Sequence, residues 1–349
     1  MEITRWRWAR TAKAGVTMAD TVRCSQPSGH AMRRSSPVAR LTAACLINSY
    51  NYRPFIAEAI DSALAQTVPF DEVIVVDDGS TDGTQDFLAS RYGDDPRIRL
   101  LLKDNGGQLS AYNAGFEASR ADVLFFLDAD DCYERDYLET ALACYHAHPE
   151  CDFLFCAYRC FGHLDREVSF APADRDLGPS ILHTLHTRTW VGSPSSCLSL
   201  HRRIARYLLP LPLESDWPIR ADDCLVFGAA VVGGHKRFLG QPLVNYRVHG
   251  QNLHYGRAGD VLADYRHRLA TWRLMHHLIT RMRYDVEGME DLVDVEFLAR
   301  PAPDYRLMRQ YLKLAWRSRR PLLRRLAMIR RILGHYLVRR SPGPSDAPD

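Results

Sequence analysis

Over the first half of this chain, apolar runs of strand length alternate with helical stretches, and nearly every run stops at a polar or acidic turn. Leu41 to Ile47 is the first run and ends in Asn48-Ser49-Tyr50-Asn51. Glu72 to Val76 leads straight into Asp77-Asp78-Gly79-Ser80. Ile98 to Leu102 is the third, and Val123 to Leu127 runs into Asp128-Ala129-Asp130-Asp131. Pro54 opens a helix that carries Ile56, Ile60 and Leu64 on one face. Thr84 to Tyr92, Gln108 to Ala118 and Arg135 to His146 read as further helices. The strands are continuous apolar runs rather than alternating ones. That pattern predicts an α/β fold whose mostly parallel sheet is covered on both faces by helices.

Beyond Cys160 the pattern is less regular. Leu177 to His186 and Asp222 to Val232 predict helices, Leu243 to Val248 a short strand, and Trp190 to Leu200 a Ser- and Gly-rich loop leading into a strand. From Val261 onward the chain reads as helical. Residues 1–40 mix Arg, Ser, Gly and Pro and read as a disordered basic leader, or as the product of an upstream start codon; 341–349 reads as a disordered tail. The leader lacks the apolar core of a secretory signal, and no run reaches the roughly 20 apolar residues of a membrane span.

Composition changes this picture little. The chain has 349 residues, 46% hydrophobic and 25% charged, which suits one large α/β domain with additions. A net charge of +3 does not by itself point to a polyanionic partner. Nine scattered cysteines form no CxxC pair, so buried reduced thiols fit better than zinc or disulfides, as in a cytoplasmic protein. GxGxxG after the first strand and GxxxxGK[ST] are both missing, which removes the main support for dinucleotide and P-loop readings.

The chemistry gathers at the strand ends, where open α/β sheets bind ligands. Three carboxylates in Asp128-Ala129-Asp130-Asp131 repel and raise one another's pKa, and a divalent cation shared with phosphates relieves this. Asp77 and Asp78 can accept hydrogen bonds from a nucleobase or ribose. Taken singly, each cluster is equally met by an acidic turn that caps the next helix.

Together and in order, these motifs resemble the inverting family 2 glycosyltransferases of the GT-A fold. The likeness runs from about Leu41 to Cys160: Ser49-Tyr50-Asn51, Val75-Val76-Asp77-Asp78-Gly79-Ser80-Thr81-Asp82, Asn105-Gly106-Gly107, and Phe126-Leu127-Asp128-Ala129-Asp130-Asp131. The resemblance implies a domain over 41–255, with a nucleotide-sugar half at 41–160 and an acceptor half at 161–255, followed by a helical basic region at 256–340. It implies that Ser49, Tyr50, Asn51, Gly107 and Asp128 bind the nucleotide-sugar. Tyr50 would stack on the base and Asp78 accept from its edge, with Asp77 the alternative. Asp130 would hold Mg²⁺ or Mn²⁺, and Asp131 would assist or hold the turn. The base that takes the acceptor proton would be Asp223 in Ala221-Asp222-Asp223, with Asp222 its rival; two Asp before an apolar run also suit a helix N-terminus. In Tyr246-Arg247-Val248-His249-Gly250-Gln251-Asn252, Arg247 would contact diphosphate, and His249 would do the same or ligate the metal.

The expected donor is a nucleotide sugar, a UDP-sugar by default, with dTDP and GDP open. The expected acceptor is a saccharide or lipid-linked glycan of the cell surface. The processive Gln-x-x-Arg-Trp segment is missing, so single transfers are expected. The rivals are a nucleotidyltransferase, whose Gly-rich basic loop is not found, and a non-catalytic membrane-surface scaffold. Leu307 to Arg340 mixes nine or more arginines with apolar residues at helical spacing, such as Leu322, Leu326, Ile329 and Leu333. That region suits an anionic membrane on its inner face, or a helix packed on the domain with a solvated basic side. No aromatic platform accompanies the arginines, so no nucleic acid is expected.

Overall fold

The structure is a computed structural model that describes residues 40–250, 260–301 and 303–340. The leader, the tail, Gln251 and Asn252, and the 255/256 boundary lie outside the described residues.

In chain order the elements begin with β1 (Ala43–Ser49), α1 (Ile56–Leu64), β2 (Glu72–Asp78), α2 (Thr84–Tyr92), β3 (Ile98–Lys103), α3 (Gln108–Ala118), β4 (Val123–Asp128), β5 (Cys132–Tyr133), α4 (Tyr137–Ala147) and β6 (Phe153–Gly162). They continue with β7 (Arg166–Val168), β8 (Arg175–Gly178), α5 (Ile181–Thr187), β9 (Leu198–His201), α6 (Arg202–Leu208), α7 (Asp222–Val231) and β10 (Lys236–Val248). Four helices close the chain: α8 (Val261–Met282), α9 (Val293–Leu298), α10 (Tyr305–Arg317) and α11 (Leu322–Arg340).

The ten strands form one sheet in the order β3-β2-β1-β4-β9-β6-β10-β5, with β7 beside β6 and β8 beside β10. The first four are mutually parallel, and β6 and β10 are parallel to each other. β9 runs antiparallel between β4 and β6 and so joins two parallel halves. Side-chain alternation explains why the strands carry no polar face. Ala44 and Leu46, Ile74 and Val76, and Leu124 and Phe126 enter one core with Leu109, Tyr112 and Leu225 from α3 and α7. Their neighbours Cys45, Ile47, Val73, Val75, Phe125 and Leu127 enter a second core with residues of α1, α2 and α4. Both faces are dry, as the continuous apolar runs predicted.

The sequence reading was incomplete in the second half. β6 was not read as a strand, and β10 starts at Lys236, well before Leu243. Pro242 and the register shifts around it break the apolar pattern there. The eight described cysteines are free, most of them buried.

The terminal helices build a third core, in which Phe297, Met308, Tyr311, Met328 and Ile332 pack on Leu182 of α5. Glu296 holds this junction: its carboxylate accepts from the backbone N–H groups of Leu182 (2.8 Å) and His183 (3.0 Å) and from the Tyr311 hydroxyl (2.6 Å). A carboxylate on the first N–H groups of a helix satisfies otherwise orphaned donors. Met328, Ile332 and Tyr336 face the core, whereas Leu322, Leu326 and Leu333 face outward.

Lys236 is the one buried lysine in these cores, donating from Nζ to the carbonyls of Val226 (2.7 Å) and Val191 (3.0 Å). Burial, then the charge of Arg300, pushes its ammonium down to about 7. The unfolded chain keeps that proton up to the ordinary lysine range, so between about pH 7 and the ordinary lysine value the unfolded state binds more protons and folding stability rises with pH. Urea titrations of the wild type and Lys236→Met should therefore diverge, the wild type gaining relative to the variant as pH climbs through that window. A pH-independent difference would show that Lys236 stays charged in the fold.

Candidate functional site

The register of the parallel strands brings the polar turns to one edge. Ser49 lies beside Asp77, Asn48 beside Asp128, and Asp78 beside Lys103. All sit at the carboxyl ends of their strands, where the helices that follow leave a crevice.

At the end of β2 the two aspartates do different work. Asp77 is fully buried and closes its own turn, accepting from Ser80 N (2.9 Å), Ser80 Oγ (2.6 Å) and Gln85 Nε2 (2.9 Å). Asp78 accepts from Lys103 Nζ (2.6 Å), Gly106 N (3.0 Å) and Gly107 N (2.7 Å), so it organises the Asn105-Gly106-Gly107 turn. Asn51, at a left-handed φ of 60°, ties the ends of β1 and β2 together: its Oδ1 accepts from Thr81 N (2.7 Å) and its N–H donates to Ser80 Oγ (2.8 Å). Tyr50 stands at the rim, 47% exposed. Asn48 Oδ1 and Ser49 Oγ are buried with no hydrogen-bond partner among the described residues. Unsatisfied polar atoms of this kind are rare in native interiors and mark places where something else can bond.

The β4 end holds Asp128, Asp130 and Asp131. Burial, followed by the charge of Asp130, pushes Asp128 up to about 6, while hydrogen bonds from Asn48, Ser195 and Gln108 oppose the rise. Asp131 is held well above the usual carboxylate range, by burial first and then by Asp130 and Asp128. Both its oxygens are engaged, one by Ser196 Oγ (2.6 Å) and one by Arg247 N (2.8 Å), so Asp131 holds the turn. Asp130 is also raised by burial, with His249 pulling it back; His249 Nε2 lies 3.0 Å from its Oδ2. The Arg247 guanidinium donates to the Asp130 carbonyl (2.8 Å) and to Glu58 (2.6 Å), and lies over the rings of Phe161 and Phe55. His249 packs against Phe55 and Tyr52, with ring centroids 4.9 Å and 6.2 Å away.

This donor set suits a hard divalent cation that keeps open positions for water and phosphate: a carboxylate and an imidazole side by side, among carboxylates that raise one another. Among the described residues the one tighter cluster of ligand-type groups is Glu150, Asp176 and His235. Arg237 already sits in it, 2.7 Å from Asp176 and 3.5 Å from Glu150, so it reads as an ion-pair cluster.

Asp222 and Asp223 open α7. Asp223 is 2% exposed; its Oδ2 lies 3.1 Å from Arg220 and 3.5 Å from His267, and the Trp190 side chain also bonds it. Burial raises it, and Arg220 and His267 pull it down. Asp222 keeps some solvent contact, yet packing around its carboxyl, then the charges of Asp223 and Asp128, push it up to about 7. Gln108 links this pair to the rest: its Nε2 donates to Asp128 (3.1 Å) and its Oε1 accepts from Ala221 N (2.9 Å).

The fold thus brings every candidate residue to one crevice edge or its immediate support. Gln108, Ser196, Arg220 and His267 were not singled out from the sequence. Gln108, Ser196 and His267 act on partners far along the chain, which local pattern does not mark, whereas Arg220 pairs with Asp223 three residues on.

Comparison with known proteins places these motifs in context. Residues 45–201 match the profile of a family described as Glycosyl transferase family 2. An uncharacterized glycosyltransferase of Nostoc sp. is 32% identical over 219 residues, 61% of this chain and 66% of that protein. Chondroitin synthase of Pasteurella multocida is 42% identical over 96 residues, 28% of this chain and 10% of that protein. In both, the match spans less than two thirds of the relative's own length. The crystal structure of S. aureus TarS shares the fold at 14% identity, with a TM-score of 0.52 over 85% of this chain and 54% of that one.

Gly107 tests how tightly the crevice is built. Its φ is +89°, and a Cβ there would meet Pro218 Cα at 2.5 Å. Gly107→Ala is expected to destabilise by about 1–3 kcal/mol. Gly334→Ala is the comparison: a Cβ there meets nothing within 4 Å, and the change should be neutral or stabilise by up to about 1 kcal/mol. Urea denaturation of both variants measures the contrast.

Proposed function

Because the chain belongs to glycosyl transferase family 2, we propose that it transfers a sugar from a nucleoside-diphosphate sugar to an acceptor hydroxyl, with inversion at the anomeric carbon and dependence on a divalent cation. The observation that carries the reading is the crevice itself. Unsatisfied polar atoms of Asn48 and Ser49, an exposed Tyr50 and the raised carboxylates of Asp128 and Asp130 stand at one sheet edge, with a second acidic pair tied across to it by Gln108.

In this reading Tyr50 stacks on the base, and the turn organised by Asp78 and Gly107 cradles the nucleoside. Asp128 bonds the ribose. Asp130 and His249 hold Mg²⁺ or Mn²⁺, while Asp131 and Arg247 keep the turn in place. The bound cation serves as a Lewis acid for the charge that gathers on the leaving diphosphate. The acceptor oxygen forms its bond to the anomeric carbon as the carbon–phosphate-oxygen bond breaks, and the bonding pair leaves on the diphosphate. The hydroxyl proton passes to Asp223. Raised carboxyl groups whose environments differ separate into an acid and a base. Here Asp222, flanked by two negative charges, keeps a proton near neutrality, whereas Arg220 and His267 favour ionised Asp223. The greater exposure of Asp222 favours a second reading in which the two exchange roles. A UDP-sugar is the assigned donor. A saccharide or lipid-linked glycan of a cell-surface polysaccharide is the assigned acceptor class, in keeping with a chondroitin synthase among the relatives.

A panel of UDP-, dTDP- and GDP-sugars, assayed with and without Mn²⁺, tests this. One donor should be consumed only with metal, and Asp130→Ala should abolish that turnover. Asp223→Asn should lower kcat by about 10²–10⁴-fold with donor binding kept, and Asp222→Asn should lower it less. A larger loss in Asp222→Asn assigns the base to Asp222. If no donor turns over even with membrane extract as acceptor, and nucleotide still binds, the chain is a scaffold on a transferase fold.

A further inference from the structure

Helix α11 is apolar on two sides. Its inner side gives Met328, Ile332 and Tyr336 to the third core. On its outer side Leu323, Leu326, Arg330, Leu333 and Leu337 recur at spacings of three and four residues, which on a helix is one stripe. The stripe is exposed along its length: Leu323 82%, Leu326 47%, Leu333 38%, Leu337 64%, and Val338 near its end 74%. A Cβ built on Gly334 in the same face meets nothing within 4 Å. At about 1.5 Å per residue the helix offers a straight apolar ridge of roughly 25–30 Å. Scattered exposed leucines are ordinary, but an ordered stripe of them on one helix is not.

The charge around the stripe identifies its occupant. From Tyr305 to Arg340 there are eleven Arg, one Lys and no Asp or Glu. Arg319, Arg320, Arg324 and Arg331 pair with Glu287, Asp291 and Asp294. Arg306, Arg309, Lys313, Arg317, Arg330 and Arg339 are not among the ion pairs of the described residues. A second copy of the chain fits poorly, because Arg330 lies at the middle of the stripe. Two copies packed stripe to stripe, parallel or antiparallel, would set the two Arg330 side chains against each other. At a lipid surface the same residue is favourable, since its stem lies along apolar surface while its guanidinium reaches a phosphate.

We propose that α11 lies flat on an anionic lipid bilayer, with Leu323, Leu326, Leu333, Leu337 and Val338 inserted at the headgroup boundary and Arg330 bonded to a lipid phosphate. A basic helix with a bare apolar ridge binds in this way through buried apolar area and attraction to anionic lipid. Among the described residues no helix is long and apolar enough to cross a membrane, and lying on the surface requires none. Because α9, α10 and α11 dock on α5 through Glu296, the bilayer would hold the sheet and its crevice at a set height. The proposal stands without the transferase reading. If both hold, the acceptor is presented from the membrane plane.

Co-sedimentation of the full chain with vesicles tests it, using phosphatidylcholine alone or mixed with phosphatidylglycerol. The chain should bind the mixed vesicles and bind phosphatidylcholine at least tenfold more weakly. Leu323→Asp with Leu333→Asp should lower affinity for mixed vesicles tenfold or more, and Arg330→Gln by about fivefold. Unchanged urea midpoints would show that these exposed substitutions leave the fold intact. Failure to bind mixed vesicles, equal binding to both kinds, or binding unaffected by the stripe variants would each overturn the proposal. A concentration-dependent dimer that Leu323→Asp abolishes, with no vesicle binding, would overturn it and assign the stripe to a second copy. None of these readouts depends on sugar transfer, so they are separate from the fate of the enzymatic reading.

Discussion

Three carboxylates within four residues at the end of β4 are the constraint around which the crevice is built. Asp130 and Asp131 are almost without solvent contact. An unpaired buried charge costs several kcal/mol, so each must be met by a donor or a cation, or keep its proton. The chain meets them with groups from distant segments. Ser196 donates to Asp131 and accepts from Asp128 N, Arg247 N bonds the other Asp131 oxygen, and His249 bonds Asp130. The acid loop therefore pins the short turn before β9, the end of β10 and the end of β4 to one another. The acidic turn is the knot between the two parallel halves of the sheet.

The same logic extends outward. Asp78 gathers Lys103 and the glycine turn, that turn meets Pro218 and Trp217 through Gln108 N and Leu109 N, and Gln108 joins Asp128 to the start of α7. Charge on one side of the crevice is thus coupled to position on the other. The shift of Asp222 to about 7 is one sign: its carboxyl feels Asp128 as well as Asp223. Occupancy of the Asp130 region and the protonation of the acidic pair should respond to each other through these contacts.

The C-terminal helices obey a different economy. Their inner surface is anchored by Glu296 on α5 and by the buried Asp294, which accepts from the exposed Arg331 at 2.6 Å. Beyond those acids the helices carry only cations, and the outer stripe of α11 is left apolar. One segment is therefore bound firmly to α5 on one side and leaves apolar side chains exposed on the other.

The sequence alone determined the first half of the sheet. Strands buried on both faces must be apolar, so β1, β2 and β4 appear as apolar runs, while β3 at the sheet edge admits Arg99; the polar endings announce the crevice edge. It also placed the acidic clusters at the strand ends, because the apolar runs of β2 and β4 stop at them. Tertiary structure decided what each one does. Asp77 and Asp131 turned out to close turns, and Asp78 to organise the glycine loop, since their partners Gln85, Ser196, Arg247 N and Gly107 N are set by folding. Tertiary structure also decided the strand order around β9, the start of β10 at Lys236, and the side of α11 that is buried. The physical reason is the same in each case. Local pattern reports whether a residue is buried in an element, whereas a partner in another element, 8 residues on for Asp77 and Gln85 or 65 for Asp131 and Ser196, is chosen only when the chain folds.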